Sequence, residues 1–191
     1  MPDRPHQPAL FDEPPAAPEG FAYRAGFVTE DEARTLVAHL EKLPFEPFQF
    51  RGYEGRRRVY SFGWRYDFNG PGLVEAEPIP DWLLPLSARA EAFAGLPGGA
   101  FAHVLINEYR EGAPIGWHRD RPQFDKVVGV SLKSPTVMRF RRRAGARFER
   151  LNVPLSPGSA YLLDGPARAE WEHSIAQAKA HRYSVTFRNL R

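Results

Sequence analysis

Arg182-Tyr183-Ser184-Val185-Thr186-Phe187-Arg188 is the stretch on which the fold turns. Read as a strand, it sends successive side chains to opposite faces, so Arg182, Ser184, Thr186 and Arg188 share one face and Tyr183, Val185 and Phe187 the other. The apolar set asks for a core. The polar set puts two guanidinium groups on an inward surface, which is costly unless an anion neutralises them, and a dicarboxylate could do so at both ends. At roughly 3.3 Å per residue the two arginines start about 20 Å apart, so both long side chains must reach inward along a coiled strand to meet one small anion. Upstream, Asn107 and Tyr109 also share a strand face and could offer neutral hydrogen bonds to the same anion.

Working outward from this strand, the second half of the chain reads as short strands with turns between them. They are expected at about 102–109, 127–132, 136–143, 147–153, 159–163 and 182–188, separated by Gly112, Pro114, Pro135, Ala144-Gly145, Pro157-Gly158 and Gly165-Pro166. Several short strands at even spacing point to a sandwich, a barrel or a jelly roll rather than a parallel sheet. The first half is different. Thr29 and Glu32 fit a capping box ahead of Ala33, Leu36, Val37 and Leu40, which predicts a helix over about 30–42. A strand is expected where residues alternate from Arg57 to Tyr66, and a second helix over about 81–94 if Pro85 lies in its first turn. Prolines at 2, 5, 8, 14, 15 and 18 predict a flexible arm over 1–19, with Leu10 and Phe11 free to touch the surface. Residues 20–191 then form a single domain.

Composition bounds the chemistry. The 191 residues, 42% hydrophobic and 26% charged, are enough for one ordinary core. Having no cysteine, the chain has no disulfide partner, zinc knuckle, thiolate nucleophile or iron-sulfur cluster, so any metal must be held by imidazole and carboxylate. The opening MPDRPHQPALFDEPP has neither a charged n-region nor an apolar h-region, and no run approaches the roughly 20 apolar residues a bilayer demands. The expectation is a cytoplasmic monomer with no membrane association. A net charge of +3 and a pI near 9.3, carried mostly by arginine, suit phosphate or carboxylate partners, although genomic base bias would give the same composition.

Trp117-His118-Arg119-Asp120 contains a His-x-Asp. In a strand, residues two apart face the same way, so His118 and Asp120 could reach one ion. His39-Leu40-Glu41 is a decoy, because on a helix its two side chains diverge. A third ligand would come from His173 or His181, the only downstream histidines. Two imidazoles and one carboxylate make the facial triad of non-haem Fe(II) oxygenases, with open positions for other ligands.

Taken together, Asn107-Glu108-Tyr109, His118-Arg119-Asp120, Leu163-Asp164-Gly165-Pro166-Ala167-Arg168, Trp171-Glu172-His173-Ser174-Ile175 and Arg182 to Arg188 resemble, in order and approximate spacing, the AlkB family of 2-oxoglutarate and Fe(II)-dependent dioxygenases. The resemblance is close over about 100–191 and holds in outline before it. It implies a mainly β, α+β fold, with a double-stranded β-helix (jelly roll) core over 101–191 and a helical buttress and nucleotide-recognition lid over 20–100. It makes His118, Asp120 and His173 the iron ligands. Arg182, helped by Tyr109, would hold the distal carboxylate of 2-oxoglutarate, and Arg188, helped by Asn107, the carboxylate beside the keto group. Ser184 stands where several members carry asparagine. Pro122 stands where the best-known bacterial repair enzyme has an acidic residue against the methylated base, which leaves the substrate open.

The implied reaction consumes 2-oxoglutarate and O2, gives succinate and CO2, and hydroxylates an N-methyl group whose hemiaminal loses formaldehyde. A base within a duplex would first be flipped out, at a cost of a few kcal/mol. Tyr60, Trp64 and Phe124 are candidate stacking residues, though aromatics at strand spacing also build cores, and Arg121 is a further substrate-binding candidate. Arg139, Arg141, Arg142, Arg143, Arg147 and Arg150 surround a turn with only Glu149 to oppose them locally, and could grip phosphates or simply protect a hairpin from edge aggregation. Three functions are thus in view: an oxidative demethylase of alkylated DNA or RNA, a dioxygenase of the same chemistry acting on a protein or small molecule, and a β-helix binding module without catalysis.

Overall fold

The computed structural model describes residues 16–50, 52–67, 70 and 72–191, so most of the expected arm over 1–19 lies outside the described residues. The first elements are β1 (Phe21–Arg24) and α1 (Glu30–Leu40). Thr29 accepts from the backbone N–H of Glu32 while the Glu32 carboxylate accepts from that of Thr29, the reciprocal cap expected from the sequence. Next come β2 (Glu46–Phe50), β3 (Tyr53–Phe62), β4 (Trp64–Asp67) and β5 (Gly72–Glu75). The single strand expected from Arg57 to Tyr66 is therefore two. Gly63 breaks it at φ +73, and a side chain there would run into the carbonyl of Ala102. A 3-10 turn (Asp81–Leu83) leads into α2 (Leu84–Phe93), with Pro85 in the first helical turn, where its missing N–H costs nothing.

From β6 (Phe101–Tyr109) onward the chain shuttles between two antiparallel sheets. β7 (Ile115–His118), β9 (Thr136–Ala144), β10 (Arg147–Leu155) and β12 (Glu172–Ile175) form the smaller sheet, in the order β10-β9-β12-β7. β8 (Phe124–Leu132), β11 (Ala160–Leu163) and β13 (Arg182–Leu190) join β6 in the larger sheet, ordered β1-β11-β8-β13-β6-β3-β2. α3 (Gly165–Ala169) links β11 to β12. This is the expected jelly roll, with its helices and the β4–β5 hairpin supplied mainly by the first half. No helix among the described residues is long and apolar enough to cross a membrane.

Both faces of β13 are buried. Tyr183, Val185 and Phe187 pack with Leu36 and Leu40 of α1 and Leu86 and Ala90 of α2 in one core cluster, while the opposite face looks into the gap between the sheets. A second cluster, including Met138, Phe140, Val153, Tyr161 and Trp171, fills one end of that gap. The other end stays open as the site.

Candidate active site

Strand register lays out the inner face of the larger sheet. Arg182 pairs with Tyr109, Ser184 with Asn107 on one side and Ser131 on the other, and Arg188 with His103. On the outer side of β6, Val59 of β3 pairs with Asn107, which puts Arg57 on the same inward face two residues earlier. All of these except Ser131 line a cavity of about 1320 Å³ together with His118, Asp120 and His173.

The two histidines are brought together by the smaller sheet. His173 on β12 sits directly opposite His118 on β7, with ring centroids 4.2 Å apart. His118 Nδ1 donates to the carbonyl of Gly116 at 2.8 Å, so a neutral ring presents a bare Nε2 lone pair. Asp120 arrives by another route than the one expected. β7 ends at His118, so strand alternation does not carry the aspartate; a loop does. That loop is pinned by Arg168, buried on α3, which donates to the carbonyls of Arg121 and Phe124.

Arg188 Nη2 donates to Asp120 Oδ1 at 2.9 Å, and Asp120 Oδ2 is buried with no hydrogen-bond partner among the described residues. With the carboxylate turned this way, no three His, Asp or Glu side chains among the described residues close into a metal cluster. The donor set nevertheless fits Fe(II) in kind. Burial, then the neighbouring His118, hold His173 down to about 3, and burial also lowers His118, so both imidazoles are neutral lone-pair donors at pH 7. For Asp120, burial pushes upward, but Arg188 and then the two histidines prevail and keep it well below the ordinary carboxylate range, hence ionised.

The arginines are poised for an anion. Arg182 donates from Nη2 to Ser131 Oγ at 3.0 Å and lies over the Tyr109 ring at 4.6 Å, while its Nε and Nη1 are buried with no hydrogen-bond partner among the described residues. Arg188 Nε and Asn107 Oδ1 are in the same condition. Orphaned buried polar atoms are rare in folded proteins, and this group lines one cavity. A dicarboxylate would satisfy the arginine N–H groups from both ends. Ser184 Oγ lies between the arginines, 3.3 Å from Thr186 Oγ1. His181 takes no part: its Nε2 meets Glu108 at 3.1 Å on the other face.

The residues proposed for substrate are scattered. Tyr60 reaches the cavity wall, with its hydroxyl donating to Glu77 at 2.8 Å. Arg121 lies 4.6 Å over the Tyr66 ring of the β4–β5 hairpin. Phe124 lines the cavity too, but is only 3% exposed and stacks on His103. Trp64 is partly buried and does not line the cavity. The hairpin arginines are better neutralised than the sequence suggests, because β12 and the turn before it add acids. Arg141 pairs with Glu172 at 2.6 Å, and Arg142 with Glu149 and Glu170. Arg143 stacks 5.5 Å over Phe148 and has no ion pair among the described residues.

Sequence reasoning missed four residues that shape this site: Arg57, His103, Tyr161 and Arg168. His103 Nδ1 accepts from Arg188 Nη1 at 3.4 Å. Tyr161 lies across Gly129, where any side chain would collide with its ring, and burial raises its hydroxyl to about 12. Inward parity from Asn107 and Arg188 could have found His103; nothing local signals the others.

A two-sheet antiparallel jelly roll with a cavity holding two facing imidazoles, a buried carboxylate and two inward arginines from one strand defines the class: an oxygenase scaffold built for a metal and an acidic cosubstrate. The profile of the 2OG-Fe(II) oxygenase superfamily matches residues 20–188, and the chain belongs to that family. Its relatives place it among the AlkB-like members. It is 30% identical over 128 residues to the probable RNA/DNA demethylase ALKBH6 of Danio rerio, covering 66% of this chain and 52% of that one. It is likewise 30% identical over 142 residues to the human DNA oxidative demethylase ALKBH2, covering 67% and 53%. The chain thus spans about half the length of these relatives. Among solved structures, its fold is similar to that of OsALKBH1 (TM-score 0.71, 16% identity, 91% of this chain and all of that one) and of a Pseudomonas putida prolyl-4-hydroxylase (TM-score 0.60, 17% identity, 90% and 93%). Membership implies Fe(II), 2-oxoglutarate and O2 as cofactor and cosubstrates.

Proposed function

We propose that this protein is a 2-oxoglutarate and Fe(II)-dependent dioxygenase that oxidatively demethylates N-alkylated bases in DNA or RNA. The observation that carries the reading is the register of three strands: His173 faces His118 across β12 and β7, while β13 alone aims Arg182 and Arg188 into the same cavity. In this reading His118, Asp120 and His173 hold the iron. Arg182, with Tyr109 and Ser131, takes the distal carboxylate of 2-oxoglutarate; Arg188, with Asn107, takes the carboxylate near the keto group; Ser184 lies between them. Arg188 also bonds Asp120, so one guanidinium orients both the metal-binding carboxylate and the cosubstrate. The bound iron and cosubstrate supply the oxidising chemistry, in which 2-oxoglutarate and O2 become succinate and CO2 while an N-methyl group leaves as formaldehyde. The protein positions the methyl group and keeps water from the cavity.

Similarity to relatives named as DNA or RNA demethylases supports a nucleic-acid substrate. A second reading, the same chemistry on a protein or small molecule, gains from the ion pairs that occupy Arg141 and Arg142. Formaldehyde and succinate release, measured with Fe(II) and 2-oxoglutarate across a panel of methylated oligonucleotides, separates them. Coupled release with at least one oligonucleotide is expected. Uncoupled succinate formation with every oligonucleotide would favour the second reading.

A further inference from the structure

Arg57 is a third inward arginine, and it stands apart from the pair on β13. It projects from β3 at the far edge of the same face, beside Tyr109 and under the wall formed by β2. Its guanidinium carbon lies 3.6 Å from the centroid of the Phe48 ring. Stacking of this kind occupies the flat face of a guanidinium and leaves its edge, the planar fork of N–H donors, available to an oxyanion. Arg57 Nε on that edge is buried with no partner among the described residues. Burial, and then the charges of Arg188 and Asp120, act on Arg57, and Arg57 in turn bears on His118. It therefore lies near the metal donors, on the wall of the cavity that faces the lid strands.

A charge count shows what is missing. Among the groups on the inner walls, Arg57, Arg182 and Arg188 bring three positive charges, Asp120 brings one negative charge, and the imidazoles are neutral. Fe(II) and the 2-oxoglutarate dianion cancel each other, so two positive charges remain after both have bound. The rim adds the acids Glu46, Asp67 and Glu77 and the arginines Arg56, Arg65, Arg119 and Arg121, so it supplies no net negative charge. Enclosed guanidinium groups without a counter-charge are costly, and a substrate that closes the cavity would have to supply one.

We infer that Arg57 is the oxyanion-binding residue of the substrate site, its Nε edge taking an oxygen of a phosphate carried by the substrate. This rests on the proposed demethylase reading, in which every target base has a phosphate attached to its own sugar. A carboxylate beside an N-methyl group would present the same chemistry.

The test is binding without turnover, by calorimetry, to the full chain loaded with Mn(II) and 2-oxoglutarate. The probes are 1-methyladenosine, its 5′-monophosphate and N-methylglycine. The wild type should prefer the monophosphate to the nucleoside by roughly tenfold or more, the range of a charge-assisted hydrogen bond. Arg57→Gln should abolish that preference while 2-oxoglutarate affinity stays within about twofold, which also reports an intact fold. Arg57→Lys, which keeps the charge and loses the fork, should restore part of it. A large loss of 2-oxoglutarate affinity in Arg57→Gln would overturn the inference and make Arg57 a third cosubstrate arginine. Equal wild-type affinity for nucleoside and monophosphate, unchanged by the substitution, would overturn it and leave the demethylase reading standing. Arg57-dependent binding of N-methylglycine alone would uphold the oxyanion site and remove the nucleic-acid reading. Binding of none of the three would remove both.

Discussion

Asp120 is where the electrostatics of the site converge: Arg188 holds one of its oxygens, the other is bare, and both histidines feel its charge. Arg182 is separate from this knot, being tied to Ser131 and Tyr109 instead. Arg182→Ala should therefore weaken 2-oxoglutarate binding strongly, by on the order of a hundredfold for a charge-assisted bidentate contact, and leave Mn(II) affinity in its absence nearly unchanged. Equilibrium titration of each ligand checks this, and a parallel loss of metal affinity would contradict it. The histidines also set a pH dependence. His173 and His103 are held below their unfolded values chiefly by burial, so between the folded and unfolded values the unfolded chain binds more protons and stability rises with pH. Metal-free protein should lose stability as pH falls below about 6.5, by up to about 1.4 kcal/mol per pH unit for each imidazole. Urea unfolding at pH 7.5 and 5 measures this. His103→Leu should make the slope shallower, since one of the contributing groups is gone.

At the scale of elements, the β9–β10 hairpin divides its arginines by neighbour. Arg141 and Arg142 are engaged by acids, whereas Arg143 and Arg147 have no ion pair among the described residues. If the hairpin grips a nucleic-acid backbone, neutralising Arg143 and Arg147 together should flatten the salt dependence of oligonucleotide affinity by roughly two counterions. Filter binding between low and moderate salt would show it, and an unchanged slope would assign the hairpin to edge protection. Longer elements were legible in the sequence to within a few residues. The helix over 30–42 appears as Glu30–Leu40 because its reciprocal cap is a local signal, and β6, β9, β10 and β13 follow their alternation and turns. β7 and β12 escaped, although they carry both histidines. Each has four residues, hence two inward side chains, too few for a period to register.

For the whole molecule, the open end of the jelly roll is a store of unsatisfied polar groups, and ligands that satisfy them should tighten the fold. At one hundred times its dissociation constant, a ligand that binds only the native state adds about 2.7 kcal/mol. Mn(II) and 2-oxoglutarate together should raise the thermal midpoint by several degrees more than the sum of their separate shifts, and a chelator should reverse the metal-dependent part. Scanning fluorimetry under the four conditions tests this, and additive or absent shifts would argue against a shared site. The sequence by itself determined that β13 has one apolar and one polar face, that no thiolate is available to a metal, and that Asn107, Tyr109, Arg182 and Arg188 could face one surface. Those are properties of residue type and local period. Only the tertiary structure decided that Asp120 reaches the cavity on a loop clamped by Arg168, that Glu172 and Glu170 engage Arg141 and Arg142 of the hairpin, and that Arg57 joins the site beneath Phe48. Each of these depends on segments distant in sequence or on loop geometry, and local periodicity records neither which strands become neighbours nor how far a long side chain reaches between them.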